Sequence, residues 1–463
     1  MRRACGWVLA LSLALTCPAT VSAQFPGAGG PPPGGPYAQG PMPGGPAPTV
    51  MLGPDGQPLV NGEGMPAEFG EPGPRFYQGS PMAEPGPEPW YGDPNAMQDQ
   101  GYATHPWFSE WYVRAEYINW TVSEPGDVLL GAPVRGVADP RQPFLVSDSG
   151  GNVLGVATVP TTENMSLRDL NGAKLTLGME LTYAGYVEVG GFFLERGRSF
   201  TSPRGLGELV TYGTVLDTTV TPNVLVPIQA PRVIGTSTFV NGALANNIEL
   251  YNQSYSATYQ SQMWGADLNY YFDTDRDGFL QFQPLVGFRH LSVREKLFQR
   301  GTFRDITFNP AIDTNSEIDS FTRNNLYGLQ GGFRAEAVTK YLVFGVDTKI
   351  ALAANDQFAK VRTNNFRSNF DPEVVTDDRE THLSPVIDIG VYGKWNITPQ
   401  FSLRGGYNFM WIGRITRPED NIYYNDRGAF VPPFAFTPAD VTVRMQRSDI
   451  RVHGLSFGGE YRF

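Results

Sequence analysis

The sequence predicts an all-β protein, a transmembrane antiparallel up-and-down β-barrel of about ten strands, after a disordered Pro/Gly-rich N-terminal segment. Three observations support this prediction. Apolar and polar residues alternate in many short runs after residue 107, long and short connections alternate between these runs, and the chain ends inside such a run. Alternation with period two is typical of strands whose two faces meet different surroundings.

The last run shows the pattern most clearly. One face carries Leu455, Phe457, Gly459, Tyr461 and Phe463, and the other carries Ser456, Gly458, Glu460 and Arg462. A soluble chain more often ends in a frayed or charged tail. An apolar face that continues to the last residue is typical of a strand that closes a barrel in lipid.

We place strands at 109–121, 173–184, 186–200, 258–272, 279–298, 321–338, 341–357, 382–396, 400–414 and 448–463. Short turns follow every second strand, and the segments between them are long, so all long loops lie on one side of the barrel. Two further strand-like runs, at 208–216 and 237–250, leave a twelve-strand barrel as the alternative. A soluble β-sandwich is a third possibility, but its loops need not sort by length.

The chain before the barrel divides into two segments. Residues 1–23 resemble a signal peptide, with Arg2 and Arg3 ahead of a short apolar core and small residues before the expected cleavage site. Residues 24–106 are rich in Pro and Gly, which predicts a disordered linker or arm. The barrel domain is expected at 107–463.

Alternation also separates the residues that face the lumen from those that face lipid. A charge on the lipid face costs about 2–4 kcal/mol near the midplane, so charged residues are expected inside. The predicted lumen-lining residues are Arg114, Glu116, Lys174, Glu180, Glu188, Asp267, Arg289, Arg334, Glu336, Asp347, Lys349, Asp388, Lys394 and Arg404. The predicted membrane-anchoring aromatic residues, which lie near strand ends, are Trp111, Trp120, Tyr270, Trp395, Trp411, Tyr461 and Phe463.

The predicted strand number leaves the state of the lumen open. About eight strands leave room only for side chains, whereas open channels belong to barrels of roughly sixteen strands. At ten to twelve strands, a narrow pore or a closed barrel with a salt-bridged interior is as compatible with the sequence as a general diffusion channel.

Charge and motifs exclude several other functions. The net charge of −11 argues against nucleic-acid binding. The four histidines lack metal-ligand spacing, and the acidic run at 273–278 is better explained as a turn than as a calcium loop, because Pro284 stands where the loop needs a glutamate. We therefore predict no enzyme activity, no cofactor and no metal.

Several phrases after residue 111 resemble a known family. They are Gly-Phe-Phe-Leu-Glu at 191–195, Trp-Gly-Ala-Asp at 264–267, Gly-Phe-Arg-His-Leu at 287–291, Phe-Thr-Arg-Asn-Asn-Leu-Tyr-Gly at 321–328, Gly-Tyr-Asn-Phe-Met-Trp at 406–411, Arg-Pro at 417–418 and Gly-Glu-Tyr-Arg-Phe at 459–463. In this order they resemble the planctomycete-type putative beta-barrel porin family. The resemblance implies an exported barrel in a bacterial outer membrane and supplies no catalytic motif.

Taken with the lumen polarity, the resemblance implies a porin-like channel for passive diffusion of small solutes. The alternative is a closed barrel that displays its outer loops and tethers the cell envelope. The expected partners are outer-membrane lipids, the barrel assembly machinery through the strand that ends at Phe463, and cell-wall material through residues 24–106.

Overall fold

The computed structural model describes residues 108–148, 150–181, 185–217, 224–272, 279–305, 310–426 and 441–463. The expected signal peptide at 1–23, the Pro/Gly-rich segment at 24–106 and the acidic run at 273–278 lie outside these residues. In the described part of the chain, no helix is long and apolar enough to cross a membrane.

The described residues form strands that are joined by turns and loops. In chain order the strands are β1 (Phe108–Val122), β2 (Phe144–Ser147), β3 (Val153–Thr158), β4 (Leu167–Leu181), β5 (Gly185–Leu194), β6 (Gly197–Thr201), β7 (Leu209–Asp217), β8 (Val224–Val240), β9 (Ala243–Tyr251), β10 (Ser254–Phe272), β11 (Leu280–Asp305), β12 (Ile312–Val338), β13 (Leu342–Asn364), β14 (Val374–Asn396), β15 (Phe401–Ile415), β16 (Ile422–Tyr423), β17 (Asn425–Asp426), β18 (Thr442–Val443) and β19 (Ser448–Arg462).

Ten of these strands close into an antiparallel barrel. The order around the ring is β11-β12-β13-β14-β15-β19-β1-β4-β5-β10, and β10 pairs with β11 to close it. The first and last strands are neighbours, in register from Tyr112 opposite Arg462 to Val122 opposite Val452. The predicted ten-strand barrel is confirmed, and the twelve-strand alternative is wrong for the described residues.

The strand pairs β4–β5, β10–β11, β12–β13 and β14–β15 are each separated by only three to seven residues in the chain. The strand ends that flank these gaps define one end of the barrel, here called the turn end. The opposite, loop end carries the long connections. Toward the loop end, β11 to β14 run for 26, 27, 23 and 23 residues, whereas a tilted strand needs about 9–11 to cross a membrane. The predicted boundaries stopped short here, because polar residues replace apolar ones on the outward face beyond the membrane.

A belt of exposed apolar side chains surrounds the barrel nearer its turn end. Its members include Leu175, Leu177, Val189, Leu268, Val286, Phe288, Leu329, Ile350, Leu352, Val391, Leu455 and Phe457. Charged side chains fill the interior at the same height, which is the reverse of a soluble barrel. Lipid satisfies such an apolar outer surface, so the barrel spans a membrane.

The loop end carries a second sheet, here called the outer sheet. It has six strands in the order β17-β8-β3-β2, with β7 and β9 also paired to β8. The connections β1–β4, β6–β10 and β15–β19 each contribute to it. The strand-like runs at 208–216 and 237–250 therefore belong to the outer sheet rather than to the barrel.

Candidate functional site

The inner face of the barrel holds a set of charged residues, here called the charge layer. Strand alternation sends every second side chain inward, and at the height of the apolar belt these inward positions are polar. The charge layer consists of Arg114, Glu116, Glu188, Asp267, Arg289, Arg334, Asp347, Lys349, Asp388, Lys394, Arg404 and Glu460.

Glu188 lies at the centre of the charge layer. Arg334 on β12 donates to both of its carboxylate oxygens, with Nη1–Oε1 and Nη2–Oε2 distances of 2.8 and 2.9 Å. Arg114 on β1 contacts Glu188 from the other wall at 3.5 Å. The three side chains are 2–5% exposed. Strands β12 and β1 lie on opposite sides of the ring, with four strands between them in each direction, so this contact crosses the whole lumen.

Tyrosine rings fill the space around Arg334. The rings of Tyr186 and Tyr271 stack with centroids 4.5 Å apart, and Arg334 donates to both hydroxyls, at 2.6 and 2.8 Å. Its guanidinium also lies 4.3 Å from the Tyr271 ring centroid, and Tyr112 donates a short hydrogen bond to Glu188. Both carboxylate oxygens of Glu188 and both terminal nitrogens of Arg334 thus have protein partners, whereas the Nε atoms of Arg114 and Arg334 are buried without a hydrogen bond.

The other charges pair within the layer as well. The pairs and their N–O distances are Lys349–Asp267 at 3.0 Å, Arg289–Asp388 at 2.6 Å, Arg334–Asp347 at 3.0 Å, Lys394–Glu460 at 3.2 Å, Arg114–Glu460 at 3.5 Å and Arg404–Glu116 at 3.6 Å. A void of ≈ 20 Å³ lies beside Glu116 and Lys349. That volume has room for about one water molecule rather than a continuous water path.

The structure places all fourteen predicted lumen residues on the inner face. Most of them contact one another across or along the lumen, so they fill it as much as they line it. The prediction left out Glu460 and the tyrosines at 112, 186, 271 and 392. The same alternation that selected Arg114 would have found each of them, because all lie on inward positions of their strands.

The structure places six of the seven predicted aromatic anchors on the outward face of the barrel and one, Trp120, on the inward face. Trp111, Trp395, Tyr461 and Phe463 are exposed near the turn end, and Tyr270 and Trp411 also lie on the outward face. The prediction for Trp120 was wrong, since it points inward, is 3% exposed, and packs on the Phe192 ring at 5.2 Å. Toward the loop end the interior becomes apolar, so an inward aromatic residue fits there.

This apolar interior seals the barrel beyond the charge layer. Ile118, Trp120, Met263, Leu291 and Ile412 are among its buried members. No more than a few per cent of any of these side chains is exposed. The sequence did not reveal this change from polar to apolar, since it depends on which side chains meet across the lumen.

The chain that follows β15 enters the loop end of the barrel. Residues 416–426 are here called the plug loop. Asn324 on β12 donates to the Thr416 carbonyl oxygen at 2.8 Å and accepts from the Thr416 amide at 2.9 Å. Ser320 donates to the Pro418 carbonyl oxygen at 2.8 Å. These backbone contacts fix the plug loop against the barrel wall.

A buried ionic cluster also holds the plug loop. Arg417 donates to both oxygens of Glu295 on β11, at 3.1 and 3.2 Å, and Tyr259 donates to Glu419 at 3.0 Å. These four side chains are at most 3% exposed. The cluster lies beyond the apolar belt, where burial, together with the neighbouring Glu295, raises the pKa of Glu419 to about 8 against the opposing charge of Arg417.

A cavity remains open at the turn end. Its volume is ≈ 670 Å³, and its lining includes Tyr186, Arg334, Glu336, Lys394, Arg404 and Glu460. Exposed residues of the turns, such as Lys340 and Thr398, form its rim. The charge layer forms its floor, so the cavity is a pocket with one opening.

The described histidines lie apart. His290 stacks on Tyr327 on the outward face, His453 contacts the Tyr407 hydroxyl at 2.8 Å, and His382 lies near Glu380 at 3.1 Å. Among the residues that the structure describes, no group of three or more His, Cys, Asp or Glu could hold a metal ion.

Comparison with known proteins identifies a family and distant structural likenesses. The family model described as "Putative beta barrel porin-7 (BBP7)" matches residues 112–463. No curated protein matches the sequence.

Similar solved structures include three outer-membrane proteins. The outer membrane protease OmpT from Escherichia coli is 7% identical, with 78% of this chain and 99% of that chain covered and a TM-score of 0.38. A Pseudomonas aeruginosa FadL homologue is 8% identical, with coverages of 76% and 90% and a TM-score of 0.21. An anion-selective porin from Comamonas acidovorans is 10% identical, with coverages of 77% and 99% and a TM-score of 0.13. Likenesses this distant carry no argument about activity.

Proposed function

Since the chain belongs to the beta barrel porin-7 family, we propose that it is an outer-membrane β-barrel, closed at rest, that displays a binding surface on its outer sheet. The observation that supports the closed state best is the contact of Glu188 with Arg334 and Arg114 from opposite walls. In this proposal the turn end faces the periplasm and the loop end faces outward, as is usual for such barrels.

The energy of the charge layer favours the closed state. A solute path would have to separate Arg334 from Glu188 and Asp347, which leaves buried charges without partners. Breaking one buried pair costs about 3–5 kcal/mol, so a path that breaks several would open rarely. The plug loop and the apolar interior are two further barriers along the same axis.

The outer sheet offers a surface for a partner. Strand β7 pairs with β8 alone among the described strands, so one of its edges has unused backbone donors and acceptors. Leu209, Tyr212, Val215 and Leu225 on this hairpin are exposed. An unpaired edge with apolar side chains is a template for strand addition. The partner class that fits is an extended segment of another protein.

Uptake into liposomes tests the closed state. Liposomes that contain the full-length mature protein, with insertion verified by heat-modifiable gel migration, should be no more permeable to a small sugar than empty liposomes. Permeation that scales with the amount of inserted protein would contradict the closed barrel.

Strand addition needs its own test. Thr211→Pro changes one position of β7 and leaves the neighbouring residues unchanged. This variant should weaken the capture of extended peptides from a displayed peptide library. Thr214→Pro on the same strand should act alike, whereas Glu163→Pro in another loop should leave capture unchanged. Equal capture by all three variants would exclude the β7 edge as the binding surface.

Passive diffusion of small solutes is the second candidate function. The cavity of ≈ 670 Å³ at the turn end, with its charged lining, favours it, as does the porin description of the family. This function requires the plug loop to leave the mouth and the charge layer to separate. Solute uptake by the unmodified barrel, reduced by charge changes at Arg114 or Lys394, would support it.

The proposal extends to export and partners. Residues 1–23 would direct export, β19 would be recognised by the barrel assembly machinery, and residues 24–106 would contact cell-wall material. Lipids of the outer membrane would surround the apolar belt, and the barrel would act without enzyme activity. Deletion of 24–106 should abolish co-sedimentation with cell-wall material while leaving the folded barrel intact, and unchanged sedimentation would exclude the tether.

A further inference from the structure

Four cations lie close together on the outward face of three neighbouring strands. Arg294 and Lys296 belong to β11, Arg323 to β12 and Lys360 to β13, and together they are here called the cationic patch. Arg294 is the direct cross-strand partner of Arg323. Phe321 is the partner of Lys296 on one side and of Lys360 on the other. The four charges therefore occupy adjacent positions of one surface.

No described carboxylate forms an ion pair with any of the four. Nearby cations on the same face are paired, as in Arg300–Glu317 at 3.5 Å, Arg362–Asp319 at 2.5 Å and Arg379–Asp356 at 2.8 Å. Like charges directly opposite each other destabilise a sheet. Asp356 lies near Arg323 but is hydrogen-bonded to Arg379, so an anion from outside the protein would stabilise the pair Arg294–Arg323.

Aromatic rings hold the cations in the patch. The Lys296 ammonium lies 4.7 Å from the Phe298 ring centroid and 5.9 Å from that of Phe321. The Arg323 guanidinium lies 5.5 Å from the Phe358 centroid. Cation–π contacts orient a charged group without neutralising it, so its N–H donors remain available to a ligand.

The height of the patch points to the identity of that ligand. A row of rings, Trp264–His290–Tyr327, runs around the loop-end edge of the apolar belt with centroid distances of 4.7 and 4.5 Å. Such rows mark the boundary between hydrocarbon and headgroups. Arg294 and Arg323 each lie four residues beyond it, about 13 Å along the strand. With the usual strand tilt this is about 10 Å above the boundary, within reach of flexible side chains at headgroup level.

We propose that the cationic patch is a binding site for the phosphate groups of a phosphorylated lipid in the outer leaflet. Planar guanidinium groups bind phosphate oxygens in pairs, and lysine adds a point charge. The opposed arginines would share one phosphate, while Lys296 and Lys360 would contact more distal anionic groups of a large headgroup. The site lies on the outer wall of the barrel, so it is independent of the closed interior and of the outer sheet.

Lipid binding to the full-length mature protein in neutral detergent tests the site. The probe is a bis-phosphorylated glucosamine lipid, and phosphatidylcholine is the neutral comparison, with retained lipid counted by native mass spectrometry. The variant R294Q/R323Q should bind the phosphorylated lipid at least about tenfold more weakly, because it loses charge-assisted hydrogen bonds. Phosphatidylcholine retention should not change.

A matched control separates the site from a general charge effect. R300Q/R304Q removes two cations from the same face of β11 that already have carboxylate partners, Glu317 and Asp313, so it should keep nearly full binding. Should R294Q/R323Q fail to insert, as judged by heat-modifiable migration, K296Q/K360Q replaces it with the same expectation. Equal loss in the control, or no loss in the patch variant, would overturn the proposal. Inorganic phosphate that competes at the concentration of the lipid would indicate a free-anion site and would also overturn it.

Discussion

Arg334 on β12 donates two hydrogen bonds to Glu188 on β5, at 2.8 and 2.9 Å, inside the membrane-spanning part of the barrel. The same carboxylate contacts Arg114 on β1, the strand opposite β12 in the ring. One glutamate therefore links walls that share no backbone hydrogen bond. This link makes the interior a structural element of the barrel rather than a lining.

Replacing Glu188 should weaken the barrel strongly. Glu188→Gln keeps the volume of the side chain but removes the charge that two buried guanidinium groups share. We expect the free energy of unfolding to fall by about 3–5 kcal/mol, measured by urea denaturation in lipid vesicles. Glu163→Gln, an exposed position in a loop, should change it by less than about 0.5 kcal/mol. Equal stability of the two variants would mean that the central contact contributes little.

Arg417 should determine how firmly the plug loop is held. Arg417→Met removes the partner of Glu295 and leaves its buried carboxylate beside Glu419 without a cation. We expect the plug loop to leave the mouth and become cleavable, with proteolysis faster by at least about tenfold, since a broken buried pair costs about 3–5 kcal/mol. Arg135→Met, an exposed change in the β1–β4 connection, is the control. Unchanged cleavage in Arg417→Met would show that the backbone contacts alone hold the loop.

The plug loop should loosen as the pH rises from acidic values to about 8. Burial raises the pKa of Glu419 to about 8, and Arg417, Glu295, Tyr259 and Asp420 are the ionisable groups that face it. The folded state therefore binds a proton that the unfolded chain releases near the usual pKa of 4.5. Stability contributed by this group falls as pH rises from about 4.5 to about 8, and above 8 the buried carboxylate is charged.

The pH effect has a specific control. Proteolysis of the plug loop should accelerate between about pH 5 and pH 8 in the unmodified protein and level off above pH 8, and Glu419→Gln should remove this acceleration because the amide remains neutral. A pH profile that is identical in the two proteins would assign the effect to another group.

Trp120 and Trp395 should respond oppositely to substitution and to a quencher in the lipid. Trp120 is 3% exposed inside the barrel, and Trp395 is 55% exposed on the outer face. Trp120→Ala should lower the free energy of unfolding by about 3–5 kcal/mol, as for a large core residue. Compared with the unmodified protein, brominated lipid should quench a smaller fraction of the tryptophan fluorescence in Trp395→Phe and a larger fraction in Trp120→Phe. The reverse order of quenching would restore Trp120 as a membrane anchor.

The sequence predicted the barrel well because strand pairing there follows chain order. Period-two alternation identified all ten strands and predicted that Arg114 and Glu188 lie on the inner face. It underestimated β11 to β14, since beyond the membrane their outward residues are polar and resemble loops. The outer sheet was missed because β8 pairs in parallel with β3 and β17 from distant connections, which local patterns do not encode.

The interior was less predictable for a related reason. Alternation gives the face of a residue but not its partner across the lumen, and Glu188 and Arg334 are far apart in sequence. The same limitation of alternation explains the wrong prediction for Trp120. Alternation gives its inward position, but it does not give the apolar side chains that surround it at that height of the barrel. The contacts that close the lumen include several between strands that are not neighbours, such as Arg334–Glu188, Lys349–Asp267 and Arg289–Asp388.

Single-channel recording in a planar bilayer tests the closed barrel most directly. The refolded mature protein, with insertion verified by heat-modifiable migration, should give no discrete conductance steps near neutral pH. Arg417→Met combined with Glu188→Gln should produce steps or leakage, because both the plug loop and the central contact are weakened. Reproducible steps from the unmodified protein would contradict the closed interior and support a porin-like channel.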